Sequence, residues 1–146
     1  MHLAGAKELR FSEVATLPAA PGIYEIWAGP RVPLKVGIAA NLRKRLVAHS
    51  ASRQSGLRLR PGGRWSEPAD VRSNKSILAK HLLFDREITH EFDLSTESGR
   101  RNFLATRCFI RYRTTVSRDA AREIEVKLEA TGRYRYHGLV RRRVAH

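Results

Sequence analysis

Cysteine is almost missing from this chain; Cys108 is the only one. No intramolecular disulfide can form, and no zinc site built on cysteines is available. Cys108 itself lies in the apolar run CFIRY, the setting of a buried inert thiol rather than a nucleophile. Long apolar runs are missing too: none approaches the ~20 residues needed to span a bilayer, and no segment reads as a signal peptide. The expectation is a soluble, cytoplasmic chain with no membrane partner. Acids are the third scarcity, with 14 Asp+Glu against 28 Lys+Arg, which leaves a formal net charge of +14 and a pI near 11.1. A field of that sign gathers polyanions, and a domain pI above ~9 is the footprint expected of nucleic-acid binding. A GC-rich genome would also favour arginine over lysine, but it would not remove the acids. Charge alone suits a ribosome-associated or membrane-surface protein equally well. Internal repeats are absent. At 146 residues the chain reads as one domain, with its core at 20–138 and a basic tail at 139–146.

What is present begins with a punctuated N-terminal third. Ala6 to Leu17 reads as a short leading segment with a helical turn around Leu9, Val14 and Leu17. Pro18 and Pro21 stop any helix and feed an extended run. Ile23 to Trp27 and Leu34 to Ile38 are strand-like, and Gly29, Pro30 and Pro33 between them predict an antiparallel hairpin. Asn41 can cap a helix from Leu42, whose stripe carries Leu42, Arg45, Leu46 and His49, with Arg53 extending the row. Ser55 to Ser73 reads as a basic loop with Arg58, Arg60, Arg64 and Trp65. Helical spacing returns over Lys75–Arg86 and Ser95–Arg107, and Cys108 to Val116 predicts a third strand. Ser117 caps a last helix with Asp119 in its first turn and Gly132 near its end. The segment beyond is arginine-rich and contains no acid; it reads as a closing segment or a basic arm.

Three glutamates in the last helix could serve as a metal-holding carboxylate: Glu123, Glu125 and Glu129. Glu123 can pair with Lys127 at i,i+4 on the outer face, an ordinary helix-stabilising arrangement. Glu125 borders the apolar stripe of Ala121, Ile124 and Leu128, where a carboxylate costs desolvation unless something compensates. That position selects Glu125.

Gly22-Ile23-Tyr24, Lys35-Val36-Gly37 and Asn41-Leu42-Arg43-Lys44-Arg45-Leu46 together resemble the motifs of the GIY-YIG nuclease family. The resemblance is close over Pro21–His49 and loose over Arg122–His137. It implies an α+β fold, a three-stranded, mainly antiparallel sheet flanked by helices, and a divalent-metal-dependent endonuclease. In the implied site Tyr24 and Arg45 take the motif tyrosine and arginine, and Glu125 holds Mg²⁺ or Mn²⁺. His49 matches a histidine of some restriction-enzyme members, and Lys35 stands where the second-motif tyrosine usually is. Lysine is found there in some restriction-enzyme members too, and an ammonium beside Tyr24 would favour phenolate. His137, within RYRYHG, stands in place of the terminal asparagine and can donate a hydrogen bond as that residue does.

Taken one at a time, these residues have ordinary explanations. Tyr24 could pack at a strand edge, Lys35 and Arg45 could be solvated charges, His49 could be structural and Glu125 could salt-bridge an arginine. Their combination at family spacing carries the catalytic reading. Arg53, Arg58, Arg60, Arg64, His137, Arg141 and Arg142 are candidate nucleic-acid contacts, the tail arginines being nonspecific phosphate contacts. Trp65 offers a base-stacking face or plugs the core. His81, His90 and His137 have no metal-site spacing. The expected partner is single- or double-stranded DNA, with RNA open. The other function classes are a catalytically degenerate nucleic-acid-binding module and a small RNA-cleaving toxin.

Overall fold

In the computed structural model, residues 3–73 and 77–137 are described. The chain expected as one domain divides into two compact units. The first comprises the residues up to Ser50 together with Leu104–His137, and the second contains Ala51–Phe103. Arg141, Arg142 and the basic tail expected at 139–146 lie outside the described residues.

The first unit is α+β. Strands β1 (Lys7–Arg10), β2 (Gly22–Ala28), β3 (Pro33–Ala39) and β6 (Cys108–Thr114) form one antiparallel sheet in the order β1-β6-β2-β3. The expected sheet had three strands; the fourth is β1, drawn from the segment read as helical. Lys7 pairs with Tyr112 and Arg10 with Phe109, so this segment is extended, and only Phe11–Thr16 turns, as a 3-10 helix. The cause is an edge position: a strand solvated on one side needs few apolar residues, and Leu9 alone is half-buried.

β2 lies between β6 and β3, which is why GIYEIWA reads as an almost unbroken apolar run. Its pleat sends Ile23, Glu25 and Trp27 to one face and Tyr24 and Ile26 to the other. On the Ile23 side, α4 (Arg118–Glu129) packs Ala121, Ile124 and Leu128 against Ile23, Val36, Ile38 and Tyr134. Ser117 caps α4 as its sequence suggests, its Oγ accepting from Ala120 N at 3.1 Å, and Gly132 follows the helix at φ +68°. The other face carries α1 (Leu42–Ala51). Asn41 Oδ1 accepts from Lys44 N at 3.0 Å, and Leu42 N donates to Ala20 O at 2.9 Å. A side chain at Gly22 would collide with Leu42 and with the Arg113 carbonyl, so glycine lets α1 lie close on the sheet. After α4, Arg135 N and Tyr136 N donate to Pro33 O and Leu34 O, lacing the chain along the outer edge of β3.

The second unit replaces the expected basic loop with structure. β4 (Leu57–Leu59) and β5 (Val71–Ser73) pair antiparallel, and Leu57 and Val71 are buried with Ala79 and Phe84. α2 (Ile77–Leu83) ends three residues before the expected Arg86, and residues 75 and 76 lie outside the described ones. α3 (Glu97–Arg107) starts two residues inside its predicted range and ends with it. Arg100, wholly buried, donates to Ser52 Oγ, Ser52 O, Gln54 Oε1 and Leu94 O and so ties this unit's ends together.

Candidate active site

β2, β3, α1 and α4 each contribute to one cluster in the first unit. Tyr24, buried on β2, points toward α1, and its hydroxyl lies 2.9 Å from His49 Nε2. The two rings meet edge-on with centroids 5.9 Å apart. Gly37, directly across from Tyr24 on β3, makes room for the phenol: a Cβ there would lie 2.5 Å from Tyr24 Cζ. The motif glycine is thus a floor beneath the tyrosine ring. Lys35, opposite Ile26, shares that face of the sheet and is half-buried rather than solvated.

Arg45, one turn before His49 on α1, hydrogen-bonds the Tyr24 hydroxyl. Arginine can only donate, so Tyr24 Oη accepts from it. Burial pushes the Tyr24 phenol above its ordinary value; the charge and hydrogen bond of Arg45 oppose this, and Glu125 adds to it. This corrects the expectation of a phenol depressed by Lys35, because burial outweighs the cation and the cation acting on Tyr24 is Arg45.

His49 is 1% exposed and held well below the usual imidazole range, by burial first and then by Arg45 and Lys35. It is neutral at pH 7. Burial also lowers Lys35, with Arg45 acting in the same direction and Glu125 and Glu129 against it. Half-buried Glu125 is raised by burial and by Glu129, while Lys35, Arg122 and Arg118 pull it back. The five predicted catalytic residues therefore act on one another electrostatically. Glu123 and Lys127 are exposed, as their outer-face pairing required.

A divalent cation has one carboxylate at the centre, Glu125, with Glu129 close enough to raise it. Among the described residues no group of three His, Cys, Asp or Glu could hold a metal. This donor set fits Mg²⁺ or Mn²⁺ rather than zinc, since Mg²⁺ is commonly held by one or two carboxylates with waters and substrate phosphate completing the shell. Glu129, four residues on, was visible in the sequence by its i,i+4 spacing.

The other face of β2 holds a polar cluster that sequence reasoning missed. Glu25 is fully buried, accepting from Arg133 and from the Tyr134 hydroxyl, with Trp27 Nε1 3.4 Å away. Arg133 also lies over the Trp27 ring, 5.7 Å from its centroid. A lone acid in GIYEIWA was the available signal, since a mid-strand carboxylate between apolar neighbours must find donors.

The nucleic-acid candidates are divided between the two units. Arg53 does not extend the α1 row, because the helix ends at Ala51 and Ser52 turns the chain at φ +42°. Arg58 is exposed on β4, and exposed Arg60 pairs with Asp70 at 2.7 Å. Arg64 is exposed, and Trp65, 43% exposed, does not plug a core. His137 is exposed at the end of the first unit. No helix among the described residues is long and apolar enough to cross a membrane. Compared with protein-family models, curated proteins and solved structures, the chain gave no match.

Proposed function

We propose that this chain is a GIY-YIG-type, divalent-metal-dependent endonuclease that hydrolyses DNA phosphodiester bonds in the first unit. The observation that carries the reading is the buried 2.9 Å contact between Tyr24 and neutral His49, with Arg45 hydrogen-bonded to the same phenol. In this relay the phenol donates to Nε2, so the neutral imidazole carries its hydrogen on Nδ1. Water attacking phosphorus gives its proton to Tyr24 Oη while Tyr24 passes its own to His49 Nε2. Arg45 and Lys35 both disfavour imidazolium. An incoming phosphate offsets their charge and readies the relay only when substrate is present.

Arg45 then binds the non-bridging oxygens, and the Lys35 ammonium adds positive charge beside them. Lys35 is therefore an electrostatic contributor here rather than the group that activates Tyr24. Glu125 would hold a divalent cation, which would supply Lewis-acid stabilisation of the transferring phosphoryl group. The +14 net charge brings the polyanion to the protein.

The test is a time course on end-labelled single- and double-stranded DNA with Mg²⁺ or Mn²⁺, comparing the native chain with Glu125→Ala. Cleavage is expected to fall by about 10²–10³-fold, as for loss of a principal electrostatic group, with DNA binding retained. Undiminished metal-dependent cleavage by the variant sinks the assignment. Binding without cleavage by either protein on any strand form, RNA included, leaves a binding module instead.

A further inference from the structure

The second unit has a cavity of about 770 Å³ that hydrolysis leaves unused. Trp65, Phe92 and Leu94 give it apolar surface, and Asp85, Arg86 and Asp93 give it a charged lining. Two carboxylates in one cavity run against the charge of a +14 chain. With Arg86 set against Asp85 and Asp93 the charged lining stays net acidic, which disfavours a phosphate there. Aromatic faces beside fixed hydrogen-bond acceptors match a different part of a polynucleotide. Every nucleobase has a π-face that stacks on tryptophan, and the exocyclic amines of cytosine, adenine and guanine donate to carboxylates.

The lining is set in advance. Asp70 accepts from Arg64 N at 2.9 Å and pairs with Arg60 at 2.7 Å, which fixes the connection that carries Trp65 between β4 and β5. Asp93 accepts from Ser95 N at 3.0 Å and from Ser95 Oγ at 2.5 Å. Those bonds hold its carboxyl below the usual range, so it is an acceptor at neutral pH. Asp85, 2% exposed, accepts from Glu87 N at 3.1 Å and Ile88 N at 3.2 Å, which orients its carboxylate.

We propose that this cavity receives one unstacked, amine-bearing nucleobase from single-stranded nucleic acid, Trp65 stacking on it and Asp93 accepting from its amine. The proposal rests on the reading of the chain as a nucleic-acid-binding protein and adds a preference for amine-bearing bases over thymine or uracil.

The experiment measures fluorescence anisotropy with the full chain and labelled oligonucleotides of equal length: all-dC, all-dT and abasic. All-dC is expected to bind about tenfold more tightly than the abasic strand, the size of one base–aromatic stack. All-dT is expected to fall between them. Trp65→Ala should erase the advantage over the abasic strand, and Trp65→Phe should retain most of it. Asp93→Asn, which keeps the turn-forming acceptor, should narrow the gap between all-dC and all-dT. Equal affinity for all three strands, or an unchanged preference in Trp65→Ala, overturns the base site while leaving phosphate-driven binding and hydrolysis standing. Base-dependent binding without cleavage by the native chain removes the nuclease reading and keeps the cavity. Failure of every strand to bind removes both.

Discussion

Tyr24 and Glu25 are neighbours on β2, yet their side chains serve two clusters of opposite character. On the Glu25 face a fully buried carboxylate meets one guanidinium, Arg133, and takes further donors from Tyr134 and Trp27. The charge of that carboxylate is paired inside the fold. Around the Tyr24 phenol Arg45 and Lys35, with Arg118 and Arg122 of α4, outnumber Glu125 and Glu129, and the imidazole of His49 is held neutral by burial and then by Arg45 and Lys35. That side carries surplus positive charge around a phenol and a proton acceptor. A closed polar cluster holds a fold together; an unbalanced one is completed by an anion from outside.

The comparison makes the two faces separable. The largest effect is expected from Tyr24→Phe, which removes the relay oxygen and keeps the ring above Gly37. Cleavage should fall by about 10²–10⁴-fold, the usual span for a general acid–base group, while loss of the buried phenol bonds to His49 and Arg45 lowers stability by about 1–3 kcal/mol. Loss of folding with retained specific activity would reverse the assignment of that face. Next comes Glu25→Ala, which strands Arg133 and Tyr134. Breaking a buried pair costs about 3–5 kcal/mol, and because Arg133 keeps some solvent the lower end is expected. Urea denaturation should record it as a lowered midpoint, with cleavage per folded molecule nearly unchanged. A variant as stable as the native chain would mean that the Glu25 cluster contributes no net stability.

The smallest effect is the pH dependence due to His49. In the folded chain its pKa lies well below the ordinary 6.5 because of burial, then Arg45 and Lys35. Above pH 6.5 neither state carries the proton and this histidine contributes no slope. Below pH 6.5 the unfolded chain takes up a proton that the folded one refuses, so stability declines by up to about 1.4 kcal/mol per pH unit. Denaturation at a series of pH values should show a shallower acid-side slope in His49→Gln. Identical slopes would mean that His49 titrates normally in the fold.

Much of the first unit was legible because its sequence obeys local rules. Pro21 and Pro33 open the two hairpin strands, Asn41 and Ser117 cap the helices they precede, and the stripe from Leu42 to His49 lands on the sheet. Arg45 and His49 could be placed for the same reason, since one helical turn fixes their shared face. β1 was illegible because the edge strand KELR has neither strict alternation nor β-branched residues, and only β6 makes it a strand. The β4–β5 hairpin was hidden by arginine and glycine, although Leu57 and Leu59 alternate correctly. Three-residue strands fall below what periodicity resolves. The direction of the Tyr24 shift was out of reach too, because it depends on how deeply several distant segments bury one phenol.

The two outer strands of the sheet are guarded differently. β1 presents Lys7, Glu8 and Arg10, charges that discourage pairing with another chain. β3 has no such charged run; the start of its outer edge is covered where Arg135 N and Tyr136 N donate to Pro33 O and Leu34 O. That seam works as a zip fastener whose last teeth come from the far end of the described chain. Nicking the chain after α4 would unzip it and turn β3 into an adhesive margin, so intactness of this short stretch governs whether the molecule stays dispersed in solution as much as whether it stays folded.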